Sequence, residues 1–318
     1  MRDSRQPVIL IILSAVVVVG LAVSGFFIDS GGGGLVSPLW LSHALSLVAM
    51  LVTVLSLNYV NSNNFLFTSD SRLLYLPYML AILAVPGCNE LSIHHAAAFL
   101  TVWAVYYALM YVNSETHRLY YAFMAALVSS LSAMLLPPML YTGAFLLLYC
   151  LWYRGQDAAR LLLAFVSALI LPWVYVAVWD YIFHPSSAFV DSLAAYGRSL
   201  VPSLPSFSGV GWKCMIYFVL LSVMGMRAVV YVSTRGSERN KAQKNAFGLS
   251  AALSVIVLIL ELFFSPEMTA GSVVMAAVPF SFAVYDFLTN GRRTETSFFL
   301  IVLLLLAVVV RVSEFLGF

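Results

Sequence analysis

Residues 7–28 read PVILIILSAVVVVGLAVSGFFI, a run without a single charge, preceded by Arg2 and Arg5. At a rise of ~1.5 Å per residue such a run covers about the 30 Å of a bilayer's hydrocarbon core, so it is long enough to cross one. It exceeds the apolar region of a secretory signal, and residues 23–29, VSGFFID, make a poor small-residue cleavage site. The run is therefore expected to stay in place as a first span.

Working outward, similar runs recur along the 318 residues, at roughly 39–59, 73–87, 95–112, 119–137, 138–153, 161–182, 211–233, 246–265, 272–288 and 297–315. The expectation is an all-α, polytopic transmembrane helix bundle of about eleven spans. Ten is the alternative, because only Pro137 and Pro138 separate the fifth and sixth runs, which read either as a tight hairpin or as one broken element. Composition agrees: 62% of residues are hydrophobic, 9% are charged and the mean hydropathy is +0.95, whereas a soluble domain is about 25% charged. Little chain remains for a soluble domain, so residues 1–318 read as one membrane domain. Outer loops fall at 29–38 and 183–210, and a basic inner loop at 234–245.

Charge placement orients the bundle. With the N-terminus inside, Arg2, Arg5, Arg72, Arg118, Arg154, Arg160, Arg227, Arg235, Arg239, Lys241, Lys244, Arg292 and Arg293 fall on the cytoplasmic side, and only Arg198, Lys213 and Arg311 on the other. That is the bias of cytoplasmic loops, and it predicts N-in, C-out. The basic residues form short anchors between apolar runs, which argues for contacts with membrane lipids and against nucleic acid. Cys88, Cys150 and Cys214 are too scattered for a zinc site; at most Cys88 and Cys214 form one bridge. No cofactor and no metal is expected.

Chemistry-bearing residues gather on the outer side. His43, His94, His95 and His184 map there, with Asp29, Glu90, Asp180, Asp191, Glu261, Glu267 and Glu314. Charges at membrane depth are costly, so Asp180, Glu261 and Arg311 are expected to be paired or to face a polar cavity. The segment Glu90-Leu-Ser-Ile-His94-His95 reads as a helix start, with Glu90 and His94 four residues apart on one side. A carboxylate that orients an imidazole makes a general base; the plainer reading is a polar helix start at headgroup level. Asp29 follows the first span and precedes the run Gly31–Gly34, where the plain reading is a helix end and a flexible linker. Arg198 and Lys213, flanked by Tyr196 and Trp212, suit a diphosphate, because a guanidinium grips oxygens as a fork and an ammonium acts as a point charge. The plain reading of 188–200 is an amphipathic segment resting on the bilayer. The runs 7–28 and 39–59 look nearly featureless, which weighs against a transport pathway, and no inverted repeat is visible.

Three resemblances follow. The layout from Leu74-Tyr-Leu-Pro-Tyr through Pro86-Gly-Cys-Asn-Glu90, Asn113-Ser-Glu-Thr-His117-Arg118 and Leu136-Pro-Pro138 resembles an uncharacterised multi-spanning inner-membrane family of the Bacteroidota. The position of Asp29 resembles the first-loop acid of membrane-embedded GT-C glycosyltransferases. Many helices with a large outer loop and outer cations resemble polymerases and ligases of undecaprenyl-linked glycans. These imply an envelope-assembly protein that transfers or polymerises polyprenyl-linked sugars. Asp29, Glu90 and His94 would act on the acceptor, and His95, His184, Arg198, Lys213 and Arg311 would bind substrate. A transporter or flippase, or a non-catalytic subunit alongside partner membrane proteins, is the competing expectation.

Overall fold

A peptide group in hydrocarbon has no water to bond, so an apolar run must satisfy its own N–H and C=O groups, which a helix does. The computed structural model describes residues 8–26, 35, 37–64, 75–85, 88–153, 158–183, 188–203, 212–234, 241–264, 271–290 and 293–315. Among these, no strand occurs. The helices are α1 (Val8–Gly25), α2 (Leu39–Asn64), α3 (Tyr75–Leu83), α4 (Ile93–Asn113), α5 (Arg118–Leu135), α6 (Leu140–Tyr153), α7 (Ala158–Phe183), α8 (Ala188–Ser199), α9 (Trp212–Thr234), α10 (Lys241–Phe263), α11 (Gly271–Asn290) and α12 (Arg293–Phe315). Each expected apolar run overlaps one of these helices, and the amphipathic stretch 188–200 overlaps α8. Among the described residues, α2, α4, α5, α7 and α12 are long and apolar enough to cross a membrane.

The surface supports the same reading. On α7, Leu163, Tyr175, Trp179 and Tyr181 are 62–83% exposed. Contiguous apolar surface of this kind belongs against lipid rather than water.

Lipid tails are as apolar as the helices, so close packing rather than water exclusion holds such a bundle together. The sequence supplies small residues for it. Ala97, Thr101, Ala104 and Ala108 are buried along α4, and Ala122, Ala125, Ala126, Ser129 and Ala133 along α5. The two helices form the most extensive pairing in the bundle. Pro137 and Pro138 end α5 through a short 3-10 turn, Pro137–Met139, and α6 returns beside it, so the pair is a hairpin. A Cβ added at Gly143 of α6 would lie 3.3 Å from the Ser129 Cβ, which is why glycine stands there. On the far side of α5, the Ser130 hydroxyl donates to the Leu169 carbonyl of α7 at 2.7 Å, one turn before Pro172 interrupts the ladder of that helix.

The hairpin joining α4 to α5 turns at His117, which has φ 56° in the left-handed region. That conformation is uncommon outside glycine and is worst for β-branched residues. His117→Val is expected to lower stability by about 1–2 kcal/mol, whereas His117→Gly should match or exceed wild type. Thermal unfolding in detergent reads both; equal midpoints for the two variants would show that the turn carries no strain.

The third run departs from expectation. A span over 73–87 was anticipated, but α3 covers nine residues and gives way to non-helical backbone over the described part of 84–92. Val85, Cys88, Asn89 and Glu90 in this segment are nonetheless buried. Irregular backbone at such depth persists only where protein covers it. The cover comes from α1, α2, α11 and α12, all of which pack on α3.

At the opposite end of the bundle, Asn245 Nδ2 donates to Asn113 Oδ1 at 3.1 Å and the Tyr149 hydroxyl donates to the Asn245 carbonyl at 3.1 Å, tying α10 to α4 and α6. An exposed pair, Arg227 with Glu295 at 3.6 Å, links α9 to α12.

Candidate functional site

Asn89 organises the buried 84–92 segment through both its backbone and its side chain. Its carbonyl accepts from His43 Nδ1 at 2.9 Å and from the Ser46 hydroxyl, both on α2. Its carboxamide, with the oxygen turned toward α12, accepts from Arg311 Nη2 at 2.6 Å and Nη1 at 2.9 Å. Arg311 Nε donates to Ser24 Oγ at 2.9 Å, and that hydroxyl donates to the Leu21 carbonyl at 2.8 Å. One guanidinium thereby ties the end of α1, the end of α12 and the irregular segment together. Only 5% of Arg311 is exposed. A charge so deeply placed needs its donors matched by acceptors, and Ser24 and Asn89 provide them.

The close approach depends on Gly25, where an added Cβ would lie 3.1 Å from both the Arg311 guanidinium and the Asn89 carboxamide. The Leu91 amide donates to Ser42 Oγ at 2.9 Å, and the Leu35 amide donates to the Leu91 carbonyl at 3.2 Å. The Phe26 ring meets the His43 ring edge-on at 5.6 Å.

Two imidazoles in this cluster have opposite polarity. His43 Nδ1 faces a carbonyl, so it carries the proton and Nε2 offers a lone pair. His95 Nδ1 accepts from the Ser92 amide at 3.4 Å at the start of α4, so its proton sits on Nε2. Both Nε2 atoms are buried without a partner among the described residues. The site thus presents one acceptor and one donor in an environment where an unmatched polar atom costs about 1–3 kcal/mol. Glu90, 3% exposed, lies between Asn89 and the start of α4.

Of the expected residues, Glu90, His94, His95 and Arg311 are brought to this end of the bundle. The proposed helical pairing of Glu90 with His94 is corrected. The helix begins at Ile93 after Ser92, so Glu90 precedes it and the four-residue spacing no longer places the two on one face. His94 instead lies against the start of α11, where a Cβ added at Gly271 would fall 2.0 Å from its ring. Arg198 stands apart: it is exposed on α8, which packs on α7 and the Pro137–Met139 turn, and its Nε donates to the Ala194 carbonyl at 3.4 Å. Asp29 and His184 lie outside the described residues, as do the side chains of Lys213 and Glu261. Cys88 is buried, and the side chain of Cys214, its candidate bridge partner, lies outside the described residues.

Sequence reasoning missed Ser24, Ser42, Ser46 and Asn89, and it misjudged α2. That helix carries a buried polar seam of Ser42, His43, Ser46, Thr53, Ser56 and Asn61 along its length. Thr53 and Ser56 donate to the carbonyls of Ala49 and Val52, which hides their polarity from lipid. The spacing of His43, Ser46, Thr53 and Ser56, three, seven and three residues apart, was the available signal. Among the described residues, no three His, Cys, Asp or Glu side chains converge as metal ligands would.

Comparison of the chain with family models, with curated proteins and with solved structures finds no match.

Proposed function

We propose that the chain is a multi-pass protein of the bacterial inner membrane, crossing it about eleven times with the N-terminus inside, and that it works at the extracytoplasmic face on the phosphate-bearing head of a polyprenyl-linked sugar. The observation that carries this reading is the Arg311–Asn89–His43 cluster. A buried cation, a buried carboxylate and two imidazoles with unmatched nitrogens occupy one end of the bundle, and the distribution of Lys and Arg assigns that end to the outside. Intramembrane ionisable groups are expensive to keep, which makes them functional candidates by default.

In the transferase form of this reading, Glu90 or His43 Nε2 takes the proton of an acceptor hydroxyl as its oxygen bonds to the anomeric carbon. The bond from that carbon to the phosphate oxygen breaks, and the leaving polyprenyl diphosphate departs into the positive potential of Arg311. Asp29 and Lys213 remain candidates for the same head group. The layout likeness to the Bacteroidota membrane family fits this location and topology. The seam along α2 favours a second reading, in which the same cluster binds the head group and the protein moves it across the bilayer unchanged.

The two readings separate in nanodiscs and vesicles loaded with polyprenyl diphosphate-linked oligosaccharide. Transfer predicts a lengthened or relocated glycan by mass spectrometry, with at least a ~100-fold loss in Glu90→Gln, the scale of a general base. Translocation predicts an unaltered glycan that changes leaflet and depends on Arg311. Neither product formation nor movement above protein-free vesicles would refute the proposal.

A further inference from the structure

Between α6 and α10, apart from the Arg311 cluster, lies a groove of about 520 Å³. Ala144 and Leu148 form one wall, Ile256 and Ile259 the other, and Phe263 and Pro202 close one end. It opens sideways: Leu148 is 64% and Ile259 46% exposed, on the surface that faces lipid. A void against apolar walls forfeits dispersion contacts, and water needs two or more polar partners that this lining does not offer. A hydrocarbon chain fits that space.

The closed end is polar and fixed. The Tyr141 hydroxyl donates to the Leu200 carbonyl at 2.8 Å, while Ser203 donates through its amide and hydroxyl to the Phe263 carbonyl at 3.0 and 3.2 Å. The strap 200–203 is therefore tied to both walls. It continues directly from α8, with the Val201 amide donating to the Arg198 carbonyl at 3.2 Å. Tyr196 holds α8 to α7 by packing edge-on against Trp173 at 4.5 Å, and burial pushes its phenol up to about 12, so it stays neutral. Arg198 is thus an exposed cation two residues before the strap that closes one end of the apolar groove, on an amphipathic helix suited to the headgroup level.

We propose that the groove and Arg198 form a binding site for an anionic phospholipid of the bilayer, with one hydrocarbon chain between α6 and α10 and the phosphate at Arg198. The site rests on the membrane embedding argued above and is independent of transferase or transport chemistry. A guanidinium suits a phosphate because its fork matches two oxygens.

The test reconstitutes the full chain in vesicles of phosphatidylcholine doped with phosphatidylglycerol bearing a diazirine in one acyl chain, and maps cross-links by mass spectrometry. The expected result is labelling of residues 144–148 and 256–263 at several times the yield on the lipid-exposed face of α7. Ala144→Trp or, from the other wall, Ile259→Trp should abolish the excess by filling the groove. Arg198→Gln should reduce it several-fold, and a diazirine phosphatidylcholine probe should give less than phosphatidylglycerol. Equal labelling of the groove and α7 overturns the site while leaving the embedding intact, and absence of label on α7 as well overturns both. Labelling unchanged by Arg198→Gln, or equal for the two lipids, overturns the assignment of an anionic headgroup to Arg198.

Discussion

Arg311→Met is expected to destabilise the protein by about 2–4 kcal/mol. Three hydrogen bonds of the guanidinium, among the interactions it makes, join α1, α12 and the 84–92 segment, and a bond to a charged partner contributes about 1.5–3 kcal/mol. Removing the cation also removes its own desolvation cost, which is why the loss falls below the sum of those bonds. Ser24 keeps the Leu21 carbonyl as a partner, but the Asn89 oxygen is left unmatched in a buried site. Arg311→Lys restores the charge and should recover only part of the stability, since one ammonium cannot reach Ser24 and Asn89 in the plane the fork spans. The chain carries its own reporter: Cys88 and Cys150 are buried thiols, and Cys88 adjoins Asn89. A thiol-reactive fluorophore in detergent should react with Cys88 faster in Arg311→Met before global unfolding, an increase lost in a Cys88→Ser background. A variant within ~0.5 kcal/mol of wild type, with unchanged Cys88 reactivity, would mean the guanidinium does not hold this end together.

Gly271→Ala should cost about 1–3 kcal/mol, the usual penalty for overpacking, although the change is a single methyl group. The Cβ would lie 2.0 Å from the His94 ring, so either the imidazole leaves its place or the start of α11 moves away. The prediction is sharper as a cycle. In a His94→Ala background the obstacle is gone, and Gly271→Ala should become neutral within ~0.5 kcal/mol or slightly stabilising, because alanine favours helix over glycine. Additive effects would show that the two positions do not touch. If His94 acts on substrate, Gly271→Ala also lowers activity without altering any polar group.

The contrast between Asn89 and Arg198 shows how far the sequence reached into the site. Arg198 stood out as one of three outer cations, with Lys213 and Arg311, yet it lies on a peripheral helix away from the cluster. Asn89, unremarkable beside Glu90 in the chain, receives bonds from α2 and α12, elements 46 and 222 residues away by subtraction of His43 and Arg311 from its number. Glu90 and His94 were chosen on a helical spacing that fails because the helix starts at Ile93. The polar seam on α2 was hidden by averaging, since the Leu and Val around it keep residues 39–62 apolar enough to read as a span.

The sequence by itself determined that the chain is helical, where its helices run and that its surface suits lipid, because those properties depend on local hydropathy and on a backbone that must bond to itself in an apolar medium. Tertiary structure alone decided which polar groups meet. Packing among lipid-bathed helices follows small residues and complementary shape, which many arrangements satisfy equally from one-dimensional information. Only the tertiary arrangement lets Arg311 close on Asn89 beside Gly25 and seats His94 against Gly271.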